Sequence, residues 1–272
     1  MSAESNLSLA VRYNNEAINH MEGANVAAAV RALTAAIKLT KHSILLRQGS
    51  SNKKKTHHKT RKHPPCNTNN YFHQSLNTGQ DPVFAAPIKI VWKPAGQRSD
   101  HEGELAASDL FTSTKGWYIM KYFAKISEDE VLEGCCCDAS TYTYVSGIMI
   151  LNLALIYLLQ AISSHTHWRA RNMLKARRFY EIAYRLQVST VYIFDITTSM
   201  LMMNNIAVVL DLMNGDSEAT PFWSRLLSLI IVASQPRSLN SMPDHVAREV
   251  FQGYVENASH ILLKNYISSP AA

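Results

Sequence analysis

Three consecutive cysteines, Cys135 to Cys137, precede Asp138 and are the side chains of this sequence most suited to metal chemistry. Structural zinc takes about four ligands, usually supplied as two separated pairs. Three adjacent side chains do not easily converge on one tetrahedral centre, and neighbouring cysteines rarely bridge each other. The spacing therefore favours a loop over a metal site or a disulfide framework, and no cofactor is predicted. A Cys–His nucleophile has no support either, because eleven histidines make accidental pairing easy.

A basic segment is the second chemical feature, since seven basic residues and no acidic residue lie between His42 and Ser75. Polar residues without periodicity surround them, so we expect residues 42–80 to be a disordered insertion. The segment is a solvated loop, a nuclear import signal or a weak contact for nucleic acid phosphates. The rest of the chain is nearly neutral, which argues against a uniformly basic nucleic-acid surface. The basic residues concerned are Lys53, Lys54, Lys55, Lys59, Arg61 and Lys62, with Arg47 before them.

The amino-acid composition and the first residues limit the class of protein to which the chain can belong. The chain has 272 residues, of which 47% are apolar and 18% charged, so a folded core is expected and global disorder is excluded. The first residues show no cationic start followed by an apolar stretch, which argues against a secretory signal peptide. Together with a cysteine spacing that does not suit a disulfide framework, this predicts an intracellular protein, cytoplasmic or nuclear.

The elements that would position these residues are mostly helices. Apolar periodicity predicts a helical hairpin over 7–41 and further helices over 143–162, 170–187, 192–213, 217–234 and 243–266. Alternation over 83–93, and a segment rich in aromatic residues over 117–126, predict two strands. We therefore expect one mostly α domain over 1–272, with a small strand-containing insert over 83–127 whose strands form a β-hairpin.

Three helical segments share one pattern, in which a small residue on a first helix faces a small residue on a second. A large residue follows four positions later on the second helix, and small residues allow such helices to pack closely. The small pairs and their large residues are Ala17, Ala29 and Leu33; Ala154, Ala176 and Tyr180; Ala207, Ala219 and Trp223.

This pattern resembles the tetratricopeptide repeat (TPR) family over about half of the chain. The chain is also similar to single-domain TPR-like proteins without a known activity. It departs from the family because about a hundred residues separate the first block from the second. About ten extra residues also lie in the turn of the second block. The resemblance implies a compact array of helical hairpins whose first helices line a groove.

Asn15, Asn152 and Asn205 occupy one position of this pattern, two residues before the small residue of each first helix. In peptide-binding members of the TPR family, an asparagine here faces the groove and bonds a ligand backbone. The resemblance thus implies that these three residues bind a protein or peptide partner. The alternative is that they bridge neighbouring helices internally, because a buried amide must find partners in either case.

The leading hypothesis is a non-enzymatic scaffold or adaptor that binds a peptide or helix in a helical groove. One alternative is an enzyme of unidentified chemistry on an irregular helical fold, although the sequence has no Gly-rich phosphate loop or nucleophile elbow. A second alternative is membrane association through residues 145–162, which lack any charge. Asn152 and Gln160 would be unpaired in lipid, so a buried core helix is favoured over a spanning one.

Overall fold

The computed structural model describes residues 3–54, 90–94, 111–114, 117–127, 139–163, 167–189, 196–213, 216–234, 251–259 and 261, and most of these are helical. The prediction of a mostly α protein is confirmed. The long helices are α1 (Ala3–Glu22), α2 (Val26–Lys54), α3 (Ala139–Ser163), α4 (His167–Ser189), α5 (Ile196–Leu212) and α6 (Asp216–Ala233). Residues 251–259 are helical as well.

Consecutive helices pack as pairs, α1 with α2, α3 with α4 and α5 with α6. Contacts of α2 with α3, and of α4 with α5, join the pairs in chain order. The predicted pairing over 7–41, 143–187 and 192–234 is therefore confirmed. The residues of the shared pattern lie in the core and are at most 3% exposed, namely Ala17, Ala29, Leu33, Ala154, Ala176, Tyr180, Ala207, Ala219 and Trp223.

Gly23 interrupts the apolar period of the sequence and predicts a turn at this place, and the structure has the turn between α1 and α2 there. The amide of Asn25 donates to the carbonyl of His20 at 2.8 Å, which closes the end of α1. The left-handed conformation that such an ending requires falls on Ala24, with φ 56°, rather than on the glycine. The Asn25 side chain then accepts the amide of Ala28 at 3.2 Å and caps the start of α2.

Helix α2 extends farther than the sequence pattern indicated. The segment 42–80 was predicted to be disordered from residue 42, but α2 is continuous through Lys54. Intrinsic propensity does not explain its last turns, because Gly49, Ser50, Ser51 and Asn52 are poor helix formers. Earlier in the extension, Ser43 donates to the carbonyl of Leu39 at 3.0 Å within the helix. The rest of the predicted insertion, 55–80, lies outside the described residues.

Short strands occupy the region between α2 and α3. Strand β1 (Ile90–Pro94) pairs antiparallel with β4 (Tyr122–Ile126), and β2 (Phe111–Thr114) pairs antiparallel with β3 (Trp117–Met120). Among the described residues this gives two two-stranded sheets in place of a single hairpin. Strands β3 and β4 are separated by Lys121 alone and form one extended segment over 117–126.

Helix α3 lies at the centre of the array and contacts α1, α2, α4, α5 and β4. Within the described residues, Thr141–Ser163 is the one helix both long and apolar enough to cross a membrane, with mean hydropathy 2.1. Of its most apolar stretch, 72% is buried inside the protein. A helix enclosed by five neighbouring elements has the apolar composition of a core helix, so its hydropathy alone does not indicate a membrane.

Candidate functional site

The three asparagines singled out by the pattern are all buried, with exposed fractions of 8% for Asn15, 2% for Asn152 and 0% for Asn205. Each sits on the first helix of its pair, on α1, α3 and α5 in turn. A primary amide in such a place needs both a donor and an acceptor partner, since an unsatisfied polar group in the core costs about 1–3 kcal/mol. Each of these amides therefore needs hydrogen-bond partners inside the protein.

All three asparagines bond the same extended segment, 117–126, and each does so at one residue. Asn15 Nδ2 donates to the carbonyl of Ile126 at 2.8 Å, and its Oδ1 accepts the Ile126 amide at 3.0 Å. Asn152 makes the same pair of bonds to Ala124, both at 2.9 Å. The three amides thus act on the main chain and not on the side chains of the segment.

Asn205 completes the series at the other end of the segment. Its Nδ2 donates to the carbonyl of Met120 at 3.1 Å, and its Oδ1 accepts the Met120 amide at 3.2 Å. A side-chain amide presents one donor and one acceptor side by side, as a neighbouring strand would. The asparagines of three helices therefore replace a partner strand along one edge of the segment.

Strand geometry explains why these particular residues are bonded. Backbone groups of alternate residues point to the same edge of a strand, and 120, 124 and 126 are all even-numbered. Within β4, the backbone groups of Phe123 and Lys125 point to the opposite edge of the strand. There Phe123 is in register with Lys93 of β1, and Lys125 with Val91 of β1. One edge of β4 is thus held by helix side chains and the other by a strand.

Two further asparagines stand directly before members of the series. Asn14 Nδ2 donates to the carbonyl of Ala124 at 3.1 Å, and Asn14 Oδ1 accepts from Asn152 Nδ2 at 2.9 Å. Asn204 donates to Asn205 Oδ1 at 3.0 Å and accepts from Asn257 Nδ2 at 2.6 Å. The sequence contains the doubled Asn-Asn at both places, but the repeat pattern predicts a role only for the second residue of each pair.

Tyrosines close the site around Met120. The hydroxyl of Tyr180, on α4, accepts a hydrogen bond from Asn205 Nδ2 at 3.2 Å. Burial raises the pKa of this hydroxyl, and the bond from Asn205 offsets part of the rise. Because its pKa is raised, the hydroxyl of Tyr180 stays protonated and neutral at ordinary pH. The hydroxyl of Tyr254, in the helical residues 251–259, contacts the sulfur of Met120.

The segment fills the space between the helices and the neighbouring strand. Ile119, Met120, Phe123, Ala124 and Ile126 are at most 2% exposed, which places the segment in the core. Lys121 and Lys125 alone among residues 119–126 are half-buried. The three asparagines are consequently brought together by one occupant, and that occupant belongs to the same chain.

Most of the other candidate residues of the sequence lie outside the part of the chain that the structure describes. The cysteines Cys66 and Cys135–Cys137 lie outside the described residues, and so do His57, His58 and His63 of the basic segment. The basic residues Lys55, Lys59, Arg61 and Lys62 lie outside them too, whereas Lys53 and Lys54 end helix α2. Within the part of the chain that is described, no group of three or more His, Cys, Asp or Glu side chains could hold a metal ion.

Comparison with known proteins found no matching family model, no matching curated protein and no matching solved structure.

Proposed function

We propose that this chain is a non-enzymatic, TPR-like interaction module whose groove binds an extended peptide by its backbone, and that residues 117–127 are its resident ligand. The observation that carries the proposal is the paired amide contact repeated at Ile126, Ala124 and Met120. The same contact made from three helices indicates a surface shaped for an extended main chain.

Energetics support a backbone-directed groove. Each of the six asparagine bonds contributes about 0.5–1.5 kcal/mol net, and each 1.4 kcal/mol changes affinity tenfold. Bonds to the main chain are indifferent to side-chain identity, so they give affinity while neighbouring pockets give specificity. The resident segment has a small side chain at Ala124 and large side chains at Met120 and Ile126. A partner peptide is expected to have side chains of the same sizes at these three positions.

A partner peptide of this pattern would take the place of the resident segment. The test uses Ala124→Pro, which removes the amide donated to Asn152 but leaves every asparagine intact. A fluorescent peptide of residues 117–127 is added in trans. We expect at least tenfold tighter binding to A124P than to the wild-type chain, because the groove is released.

Two controls make this test specific. The same peptide N-methylated at Ala124 lacks the donor, and A124P combined with Asn152→Ala lacks the receiving amide. Each is expected to lose at least tenfold in affinity. Binding that ignores both changes would show adhesion to exposed apolar surface instead of groove recognition.

Hydrogen exchange in the wild-type chain gives an independent measurement. If the groove can release its resident segment, the amides of Met120, Ala124 and Ile126 exchange faster than the core amides of α3. Equal protection of the segment and α3 would assign the asparagines a purely structural role.

A further inference from the structure

The outward face of α4 carries a regular stripe of exposed residues that the groove does not use. Its members recur at helical spacing and alternate between apolar and basic types: Trp168, Arg171, Leu174, Arg178, Ile182, Arg185 and Val188. Trp168 and Leu174 are each 56% exposed and Val188 is 63% exposed. Exposed large apolar residues at one spacing on one helix form a surface, whereas single ones are ordinary.

The charge of this helix is one-sided. Helix α4 contains six basic residues and one acidic residue, Glu181. That acid is already engaged, because Arg177 bonds Glu181 at 2.8 Å and Glu218 of α6 at 2.5 Å. Arg177 lies beside the stripe and pairs with both of these acids. The exposed arginines of the stripe therefore have no carboxylate on α4 left to neutralise them.

The spacing within the stripe follows a heptad. Arg171, Arg178 and Arg185 are seven residues apart, and an apolar residue follows each by three or four positions. Heptad spacing keeps one seam of a helix in contact with a second helix over several turns. Over the roughly 20 residues from Trp168 to Val188, at 1.5 Å per residue, the seam is about 30 Å long.

We infer that this stripe docks an amphipathic helix of a partner protein whose seam alternates acidic and apolar residues. Carboxylates of the partner meet Arg171, Arg178 and Arg185, and its apolar residues pack between Leu174 and Val188. Charge selects the partner and apolar area holds it. This surface lies on the second helix of its pair and is separate from the asparagine groove.

The same pattern argues against other occupants. Helices that lie on membranes segregate apolar and basic residues onto different faces, whereas here the two types share one narrow seam. A second copy of this chain would set arginines against arginines, which is repulsive. Phosphates of nucleic acid would engage the arginines but leave Leu174 and Val188 uncovered.

The test uses a synthetic three-heptad helix with Glu facing the arginines and Leu facing the apolar residues. A scrambled peptide of identical composition is its control. We expect micromolar binding of the first peptide to the full-length chain, by calorimetry in 150 mM salt, and at least tenfold weaker binding of the second. Equal binding of the two peptides, or no binding of either, overturns the proposal.

Charge exchange locates the contact. The double variant R178E/R185E should lose at least tenfold in affinity and recover it with a peptide carrying Lys in place of Glu. The matched control R12E/R31E makes the same change of net charge at exposed sites on α1 and α2 and should bind as the wild type does. Equal losses in both double variants would show long-range attraction without docking on α4.

Vesicles and duplex DNA separate the remaining occupants. We expect neither phosphatidylserine vesicles nor a 20-base-pair duplex to compete with the acidic helix at this salt concentration. Competition that R178E/R185E abolishes would assign the stripe to lipid headgroups or nucleic acid phosphates, and the inference of a helical partner would be wrong.

Discussion

Helices α3 and α4 pack against each other, but they distribute polarity in opposite ways. Helix α3 has no charged residue from Ala139 to Ser163, and its buried Asn152 is bonded at both amide atoms. Helix α4 has six basic residues and leaves Trp168, Leu174 and Val188 exposed. In α3 the informative residue is a polar one inside the core, and in α4 it is an apolar one outside it.

The difference shows how to interpret an unusual helix composition. Judged by hydropathy, α3 is a membrane candidate, but its neighbours and the bonds of Asn152 explain it as a core helix. Judged by charge, α4 is an ordinary solvated helix, but the heptad order of its exposed residues is not explained by solvation. In α3 the hydrogen-bond partners of Asn152 decide how the helix is interpreted. In α4 the interpretation depends on what covers the exposed apolar residues.

The largest effect is expected from Asn152→Ala in α3. The change leaves the amide and carbonyl of Ala124 and Oδ1 of Asn14 without this partner. We expect a loss of about 3 kcal/mol in the free energy of unfolding, measured by urea denaturation. Asn19→Ala, at an exposed position of α1, is the matched control and should change stability by less than about 0.5 kcal/mol. A loss below 1 kcal/mol for Asn152→Ala would mean that water replaces the amide.

A smaller effect is expected on the buried side of α4, from Tyr180→Phe. Loss of the hydroxyl removes the bond from Asn205 and should cost about 1 kcal/mol at neutral pH. The folded state holds the hydroxyl proton more tightly than the unfolded chain, because burial raises the pKa of Tyr180. The contribution of Tyr180 to stability is therefore constant below about pH 10 and falls as the pH rises further.

Denaturation at a series of pH values from 8 to 11.5 measures this dependence. The wild-type chain should lose stability more steeply above pH 10 than Y180F, by up to about 1.4 kcal/mol per pH unit. Parallel slopes for the two proteins would show that Tyr180 ionises freely in the folded state and is not sealed in the core.

The smallest effect is expected on the exposed side of α4, from Leu174→Gln. Because Leu174 is 56% exposed, its replacement should change the free energy of unfolding by less than about 0.5 kcal/mol. The same replacement at Leu155, which is fully buried in α3, should be strongly destabilising. A large loss for Leu174→Gln would make the stripe part of the fold and remove it as a docking surface.

Much of the helical framework could be predicted from the sequence, because its signals are local. The spacing of small residues such as Ala154 and Ala176 identified core positions on paired helices. The turn after α1 was located correctly, although the left-handed conformation fell on Ala24 and not on Gly23. The length of α2 was underestimated because its last turns lack the apolar period on which the prediction relied.

The bonds of Asn15, Asn152 and Asn205 to residues 120–126 could not be predicted, although the three asparagines themselves were identified. The bonds join residues 28, 85 and 111 positions apart, and no local pattern reports such separations. They also end on backbone atoms, which every residue of the segment possesses. The side chains of Met120, Ala124 and Ile126 therefore carry no mark of the contact.

These separations also have a consequence for how the chain folds. During synthesis α1 emerges before the strands, and the backbone partners of Asn14 and Asn15 follow more than a hundred residues later. The α1–α2 hairpin must keep these amides hydrated until the strand arrives, and Asn205 engages the strand only after α5 has been made. Contacts of such long range slow folding, because the loops must close before the contacts stabilise them. We therefore expect the strand to complete its contacts with the three helix pairs only after α5 has formed.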